Sequence, residues 1–232
     1  MKLAIMQPYL FPYLGYFQLI RAVDIFVVYD DVNYINRGWV NRNNILVQGK
    51  AQLFTLELEG ASQNKLINKI GVVGRNDKLL KTIRLNYSKA PYFQQVFPVI
   101  EGILNQKEKN LARFLDYQLK QICAYFGFSP LWIISSDLGK DSSLRAQSKI
   151  LAICEELGAT QYINMPGGKE LYDHQSFEAK GIKLSFIHPL PTKYSQFGKE
   201  FLPNLSIIDV MMFNSVDEIR NNLIYRFDLV KA

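Results

Sequence analysis

Residues 2–31, KLAIMQPYLFPYLGYFQLIRAVDIFVVYDD, decide the fold. KLAIM (2–6) and DIFVVYDD (24–31) are short, rich in β-branched or aromatic residues and bounded by polar or turn residues, the pattern of buried strands. Between them, YLGYFQLIRAVD puts Leu14, Phe17, Leu19 and Ile20 on one helical face. Strand, helix and strand make a β-α-β unit, whose crossover is expected to be right-handed. The connection QPYLFPYLGYF (7–17) is more elaborate than ordinary turn chemistry needs. It reads either as a ligand-binding loop, with Gly15 admitting close backbone approach, or as a proline-stiffened crossover whose Tyr9, Phe11, Tyr13 and Phe17 pack core.

Outward from this unit, AQLFTLEL (51–58) predicts a strand, while the conformation of 60–75 stays open. DKLLKTIRLNY (77–87) predicts an amphipathic helix ended by Ala-Pro, with two more helices near 93–105 and 109–125. PLWIISSDLG (130–139) predicts strand then loop. SSLRAQSKILAICEELGA (142–159) predicts a helix stopped at Gly158. TQYIN and KLSFIHPL flank an expected helix at 169–179, and IIDVMMFN and SVDEIRNNLIYRFDLV are expected as terminal helices. The alternation predicts one α/β domain over 1–232, a layered, mainly parallel, Rossmann-like sheet flanked by helices, with a helical insertion at about 77–125.

The apolar fraction of 48% and aromatic fraction of 13% exclude a disordered chain. No apolar run approaches the ~20 residues of a membrane span, and MKLAIMQPYL lacks the pattern of a secretory signal, so a cytoplasmic protein is expected. The net charge of +6 permits attraction to phosphate but is spread without a run of like charge, which ranks nucleic acid low as a partner. Cys123 and Cys154 read as buried apolar residues. With only His174 and His188 as histidines, a zinc site is not expected.

Ligands of open α/β sheets bind beyond the carboxyl ends of strands, which singles out Gln7, Asp30, Asp31, Ser135, Ser136, Asp137 and Asn164. Asp30 and Asp31 suit magnesium beside substrate phosphates, or one of them suits a general base; ordinary turn and cap chemistry explains them as well. In NYINRGWVNRNNI (33–45), Arg37, Trp39, Asn41, Arg42 and Asn43 could grip phosphate and stack on a base or sugar, or form a surface loop around a tryptophan. NMPGGKELY lacks dinucleotide and P-loop spacing, though Gly167 and Gly168 could offer N–H groups to an anion with Lys169 adding charge. His188 is either a general acid or base or a hydrogen-bonded core residue. The absence of G-x-S-x-G and H-E-x-x-H disfavours common hydrolases.

With QPYLFPYLGYF, DIFVVYDDVNYINRGWVNRNNI, ELGATQYINMPGGKELY and LSIIDVMMFN in this order, the chain resembles the WbqC-like family of bacterial proteins over nearly its whole length. The Q-P-Y-x-x-P-x-x-G-Y segment and D-D-V followed by N-R-N carry the likeness most specifically. The resemblance implies a role in O-antigen and other surface-polysaccharide biosynthesis, as a transferase moving glycine or a related acyl group to a nucleotide-linked amino sugar. On that reading Gln7, Pro8, Tyr9, Pro12, Gly15 and Tyr16 shape a pocket. Asp30 or Asp31 holds magnesium or deprotonates the attacking amine, and Arg37 and Arg42 bind phosphate.

The opening layout is also similar to nucleotidylyltransferase-type folds, whose helix starts with G-H. Tyr16 stands where that histidine would be, and a phenol with a reference pKa near ~10 lacks its cationic stabilisation. An ATP-dependent adenylate-forming enzyme and a non-catalytic nucleic-acid or polysaccharide-binding protein are the competing expectations. The latter ranks lower because the polar residues gather at strand ends rather than in a basic stripe.

Overall fold

The computed structural model describes residues 1–198 and 200–231. Its elements, in chain order, are β1 (Lys2–Met6), α1 (Leu14–Arg21), β2 (Ile25–Val28), β3 (Arg42–Val47), β4 (Lys50–Thr55), β5 (Leu58–Glu59), β6 (Gly71–Val72), α2 (Asp77–Tyr87), α3 (Phe93–Leu104) and α4 (Leu111–Phe126). They continue as β7 (Leu131–Ile134), α5 (Ala146–Glu156), β8 (Gln161–Asn164), α6 (His174–Glu178), β9 (Lys183–Pro189), α7 (Ile207–Phe213), α8 (Val216–Asn221) and β10 (Phe227–Lys231).

Six strands form the central sheet in the order β10-β9-β8-β1-β2-β7. All neighbours are parallel except β10 on β9. The strands alternate between two cores. Ala4, Phe26 and Val28 point toward one that also holds residues of α1, α2, α3, α4 and α7, while Leu3, Ile5, Ile25 and Val27 point toward one covered by α5 and α6. This is why KLAIM and IFVV read as continuous apolar runs. The order also reverses at β1 and β8. From β1 the chain proceeds to β2 and β7, from β8 to β9, so crossovers of one hand must put α1 and α6 on opposite faces, as they are. The buried residues of α2, α3 and α4 join the same core as α1, with Phe17 edge-on to Phe126 at 5.6 Å.

Five expectations need correction. The second half of NYINRGWVNRNNI is strand β3, folded back on β4 through Gln48 and Gly49, whose φ values of 49° and 75° suit a primed hairpin turn. AQLFTLEL divides between β4 and β5. The helix expected at 142–159 begins only at Ala146, because Asp141 accepts from the Ser143 and Leu144 amides and holds a competing turn. Finally, helix does not run to the C-terminal region: after α8, Phe227–Lys231 pairs antiparallel with β9. The expected helix at 169–179 is likewise split into a 3-10 turn at Pro166–Leu171 and α6, which Asp173 caps by accepting from the Ser176 amide. The open stretch 60–75 contains a 3-10 turn at Ile67–Lys69 and β6.

Candidate functional site

Tyr29, Asp30 and Asp31 leave β2 where Ser135, Ser136 and Asp137 leave β7, its parallel neighbour. Asp30 is buried and fully engaged: one oxygen accepts the Ser136 amide at 2.9 Å, the other the Ser136 hydroxyl at 2.6 Å and Asn68 Nδ2 at 3.0 Å. Asp31 accepts the Ser135 hydroxyl at 2.6 Å on Oδ1. Its Oδ2 lies 3.0 Å from Lys140 Nζ and 2.9 Å from Lys149 Nζ. Lys149 also donates to the Asp31 carbonyl at 2.7 Å and sits 4.9 Å over the Tyr29 ring. Burial alone would push the Asp31 carboxyl up. The hydrogen bond from Ser135 and the two ammonium groups outweigh it and hold the carboxyl below its ordinary range.

This geometry corrects the reading of the two aspartates. A magnesium ion needs free carboxylate oxygens, and here those of Asp30 are occupied by donors while two ammonium groups beside Asp31 would repel a dication. Among the described residues no group of three or more acidic, histidine or cysteine side chains could hold a metal. A carboxyl held below its ordinary range is also a weak base.

What the cluster offers is positive charge. Asp31, Tyr29 and Lys149 line a cavity of about 270 Å³ together with Arg145 and Ala146 from the start of α5. On the lining itself Lys149 and Arg145 face Asp31 alone, so the cations are in excess by one, while Asp141, beyond the lining, also interacts with Arg145. Arg145 stands at the N-cap of α5 without a side-chain bond to the helix, its guanidinium donating instead to the carbonyls of Ser142 and Leu144, and Ala146 is held at φ 46°, a conformation that non-glycine residues seldom adopt and that tends to mark functional sites.

The other expected site residues divide. Gln7 and Asn164 stand at the carboxyl ends of β1 and β8, where the strand order reverses and doubly wound sheets bind ligands. Among the described residues Gln7 Oε1 is buried without a partner, whereas Asn164 Oδ1 accepts the Met165 amide and its Nδ2 donates to Tyr172. Gly168 is packed so that a Cβ would meet Asn164 Nδ2 at 2.7 Å, and its amide is used within the 3-10 turn. Gly167 is exposed.

Tyr16 is buried, its hydroxyl donates to the Gln7 carbonyl at 2.7 Å, and burial raises its pKa well above the ordinary value. It packs core rather than facing a reactant. His188 is exposed on β9, opposite Asp228 and three strands from β2, roughly 14 Å at the usual strand spacing, so it does not join the aspartates. Arg42 donates to the carbonyls of Gly38 and Arg37, and Asn41 bridges Tyr34 and Leu56; both hold the segment before β3 in shape. Asn43 donates to the carbonyls of Leu10 and Phe11, fixing the opening loop. Pro8 is buried, Arg37 is exposed, and Tyr9, Pro12 and Trp39 line a second cavity with Asn43.

Lys140, Arg145 and Lys149 were missed by sequence reasoning. Lys149 had a signal: it occupies a place on the apolar face of α5 with Ile150, Ile153 and Cys154, where a charge needs a partner.

A family model described as the WbqC-like protein family matches residues 7–221. The chain is 29% identical over 230 residues to a Mycobacterium tuberculosis (strain ATCC 25618 / H37Rv) protein named "Uncharacterized protein Rv1507c", covering 97% of this chain and 98% of that one. No solved structure matches.

Proposed function

The chain belongs to the WbqC-like protein family, and on that premise we propose that it is a cytoplasmic transferase of surface-polysaccharide assembly that takes a nucleotide-linked amino sugar as substrate. The observation that carries the reading is the basic pocket at the end of β2, where Lys149 and Arg145 border a cavity beside Asp31. Phosphate oxygens there would meet two fixed positive charges and the first amides of α5. Asp31 aligns Lys140 and Lys149, a different part from the general base or metal ligand expected of it. In the transfer, the sugar nitrogen bonds to the acyl carbonyl carbon, the bond from that carbon to its carrier breaks with the electron pair staying on the carrier, and the proton shed by the nitrogen passes to that departing carrier.

The test is a thermal-shift titration of the full chain with uridine and thymidine diphosphates, their sugar conjugates, ATP and glycine. A nucleotide at about a hundred times its dissociation constant adds roughly 2.7 kcal/mol to stability. The shift is expected from diphosphate sugars and is expected to fall in Arg145→Ala and Lys149→Met. Stabilisation by ATP alone, accompanied by pyrophosphate exchange, would move the reading to the adenylate-forming enzyme. No response to any nucleotide would overturn both.

A further inference from the structure

The loop that begins the chain's first crossover walls two adjoining hollows far different in character from the basic pocket. One, about 270 Å³, lies against the first turn of α1, with Gly15 and Gln18 facing Tyr194, Phe201 and Asn204. The other, about 290 Å³, is lined by Tyr9, Pro12, Tyr13, Trp39, Asn43 and Asn204. Tyr13 and Asn204 belong to both. Among the described residues, neither hollow is lined by a charged side chain.

Gln18 supplies the specific clue. The residue is 1% exposed, and its Nε2 is fixed by the carbonyls of Leu223 at 2.8 Å and Arg226 at 3.2 Å. That anchorage sets the amide's orientation and leaves Oε1 buried with no partner among the described residues. A buried acceptor left unpaired is unfavourable, so a donor from outside the chain would stabilise the site. At the start of the same helix Tyr13 caps α1 without a side-chain hydrogen bond; the Tyr16 amide bonds the Tyr13 carbonyl, and the amides before it have no partner within the helix. Gln18 lines the hollow together with Leu14 and Gly15 from the start of α1 and the aromatic residues Tyr13, Tyr194 and Phe201.

Charge selects against the alternatives. Among the described residues the lining offers an ion no counter-charge, and a purely apolar molecule would leave Gln18 unsatisfied. A neutral ring carrying hydroxyl groups meets both conditions: its C–H face lies on Tyr13 or on Trp39, which is 45% exposed, and its hydroxyls reach Gln18 and Asn204. We infer that these two hollows form one binding site for an uncharged pyranose. The inference stands on this geometry and does not require the phosphate reading.

The test is saturation-transfer difference NMR of the full chain with D-glucose, D-galactose and N-acetyl-D-glucosamine, with glucuronate as the charged comparison. Transfer to at least one neutral sugar is expected. Gly15→Ala, whose Cβ would stand 2.5 Å from Tyr13 Cε2 and push that ring toward the hollow, is expected to weaken the response roughly tenfold, as is Trp39→Ala. Both variants should unfold within a few degrees of the parent, since alanine favours the helix and Trp39 is exposed. Absence of transfer to all three neutral sugars, transfer that survives both substitutions, or preference for glucuronate would each overturn the inference. A buried water alone on Gln18 would give the first of these results. The response to uridine diphosphate reads the basic pocket separately, so the two readings fail separately.

Discussion

Lys149 Nζ grips Asp31 twice, at 2.9 Å from Oδ2 and 2.7 Å from the backbone carbonyl, and so ties α5 to the end of β2. Lys140 reaches the same carboxylate at 3.0 Å and also bonds the Ser135 carbonyl. One carboxylate thus holds two ammonium groups that are nearly buried, with side-chain exposures of 4% and 6%.

Removing that carboxylate leaves both ammonium groups without an opposing charge. Asp31→Asn is expected to destabilise the fold by about 3 kcal/mol, the usual effect of stripping one partner from a buried ion pair. Lys149→Met should be milder, because Lys140 and Ser135 still satisfy Asp31. Urea unfolding of the two variants checks the order. The reverse order would show that Lys149, rather than Asp31, is the centre of the cluster.

A pH effect of opposite sign comes from Asp209 on α7. It is buried, and it accepts from Tyr87 at 2.8 Å, Tyr194 at 2.8 Å and Gln196 at 2.6 Å, yet burial outweighs these donors and raises its pKa. A carboxyl raised on folding stabilises most below its unfolded pKa, about 3.9, and that contribution is lost as pH rises through the folded value. For Asp31, lowered on folding, the contribution is present above the unfolded pKa and is lost as pH falls through the folded one. Asp209→Asn should therefore flatten the decline in stability that sets in above about pH 4 without altering the acid limb. Urea midpoints measured from well below the unfolded carboxyl pKa upward read both limbs. An unchanged alkaline slope would clear Asp209 of the effect.

The strands were legible because both sheet faces are buried: Leu3, Ala4 and Ile5 serve two cores in succession, so no polar residue interrupts them. The same logic exposed Asp30, Asp31 and Ser135, polar residues at the ends of apolar runs. Lys140 and Lys149 were harder, since their partner lies more than a hundred residues away and no local spacing announces it. Asn41 and Asn43 misled for a related reason. A sequence shows an amide but not the carbonyl it meets, and here those carbonyls belong to Leu56, Leu10 and Phe11. Strand β10 was read as helix because its evidence is its pairing with β9, a non-local fact.

Tyr16→Phe separates packing from chemistry at the residue that stands in the histidine position of the similar layout. Its hydroxyl has one partner, the Gln7 carbonyl, so the variant should lose about 1 kcal/mol and keep the parent's thermal shift with nucleotides. His188→Ala, on an exposed position, should change neither quantity. Loss of turnover in Tyr16→Phe with stability unchanged would return the phenol to the reaction.

The opening loop makes the final prediction. Phe11 is fully buried at φ 40°, a conformation that a bulky residue holds only when its surroundings impose it. Those surroundings are visible. Gln118 on α4 accepts the Phe11 amide at 3.0 Å and donates to the Tyr9 carbonyl at 3.0 Å, while Asn43 and Ser206 both donate to the Phe11 carbonyl at 2.8 Å. Gln118→Leu removes both contacts from one side and buries an unpaired amide and carbonyl, which should cost about 2–4 kcal/mol. The loss should be accompanied by faster amide exchange at Phe11 and by a weaker response to neutral sugars, because Tyr9 and Tyr13 would lose their fixed places. A stability change under about 0.5 kcal/mol, the range of an ordinary surface substitution, would show that Asn43 and Ser206 hold the strained backbone without Gln118.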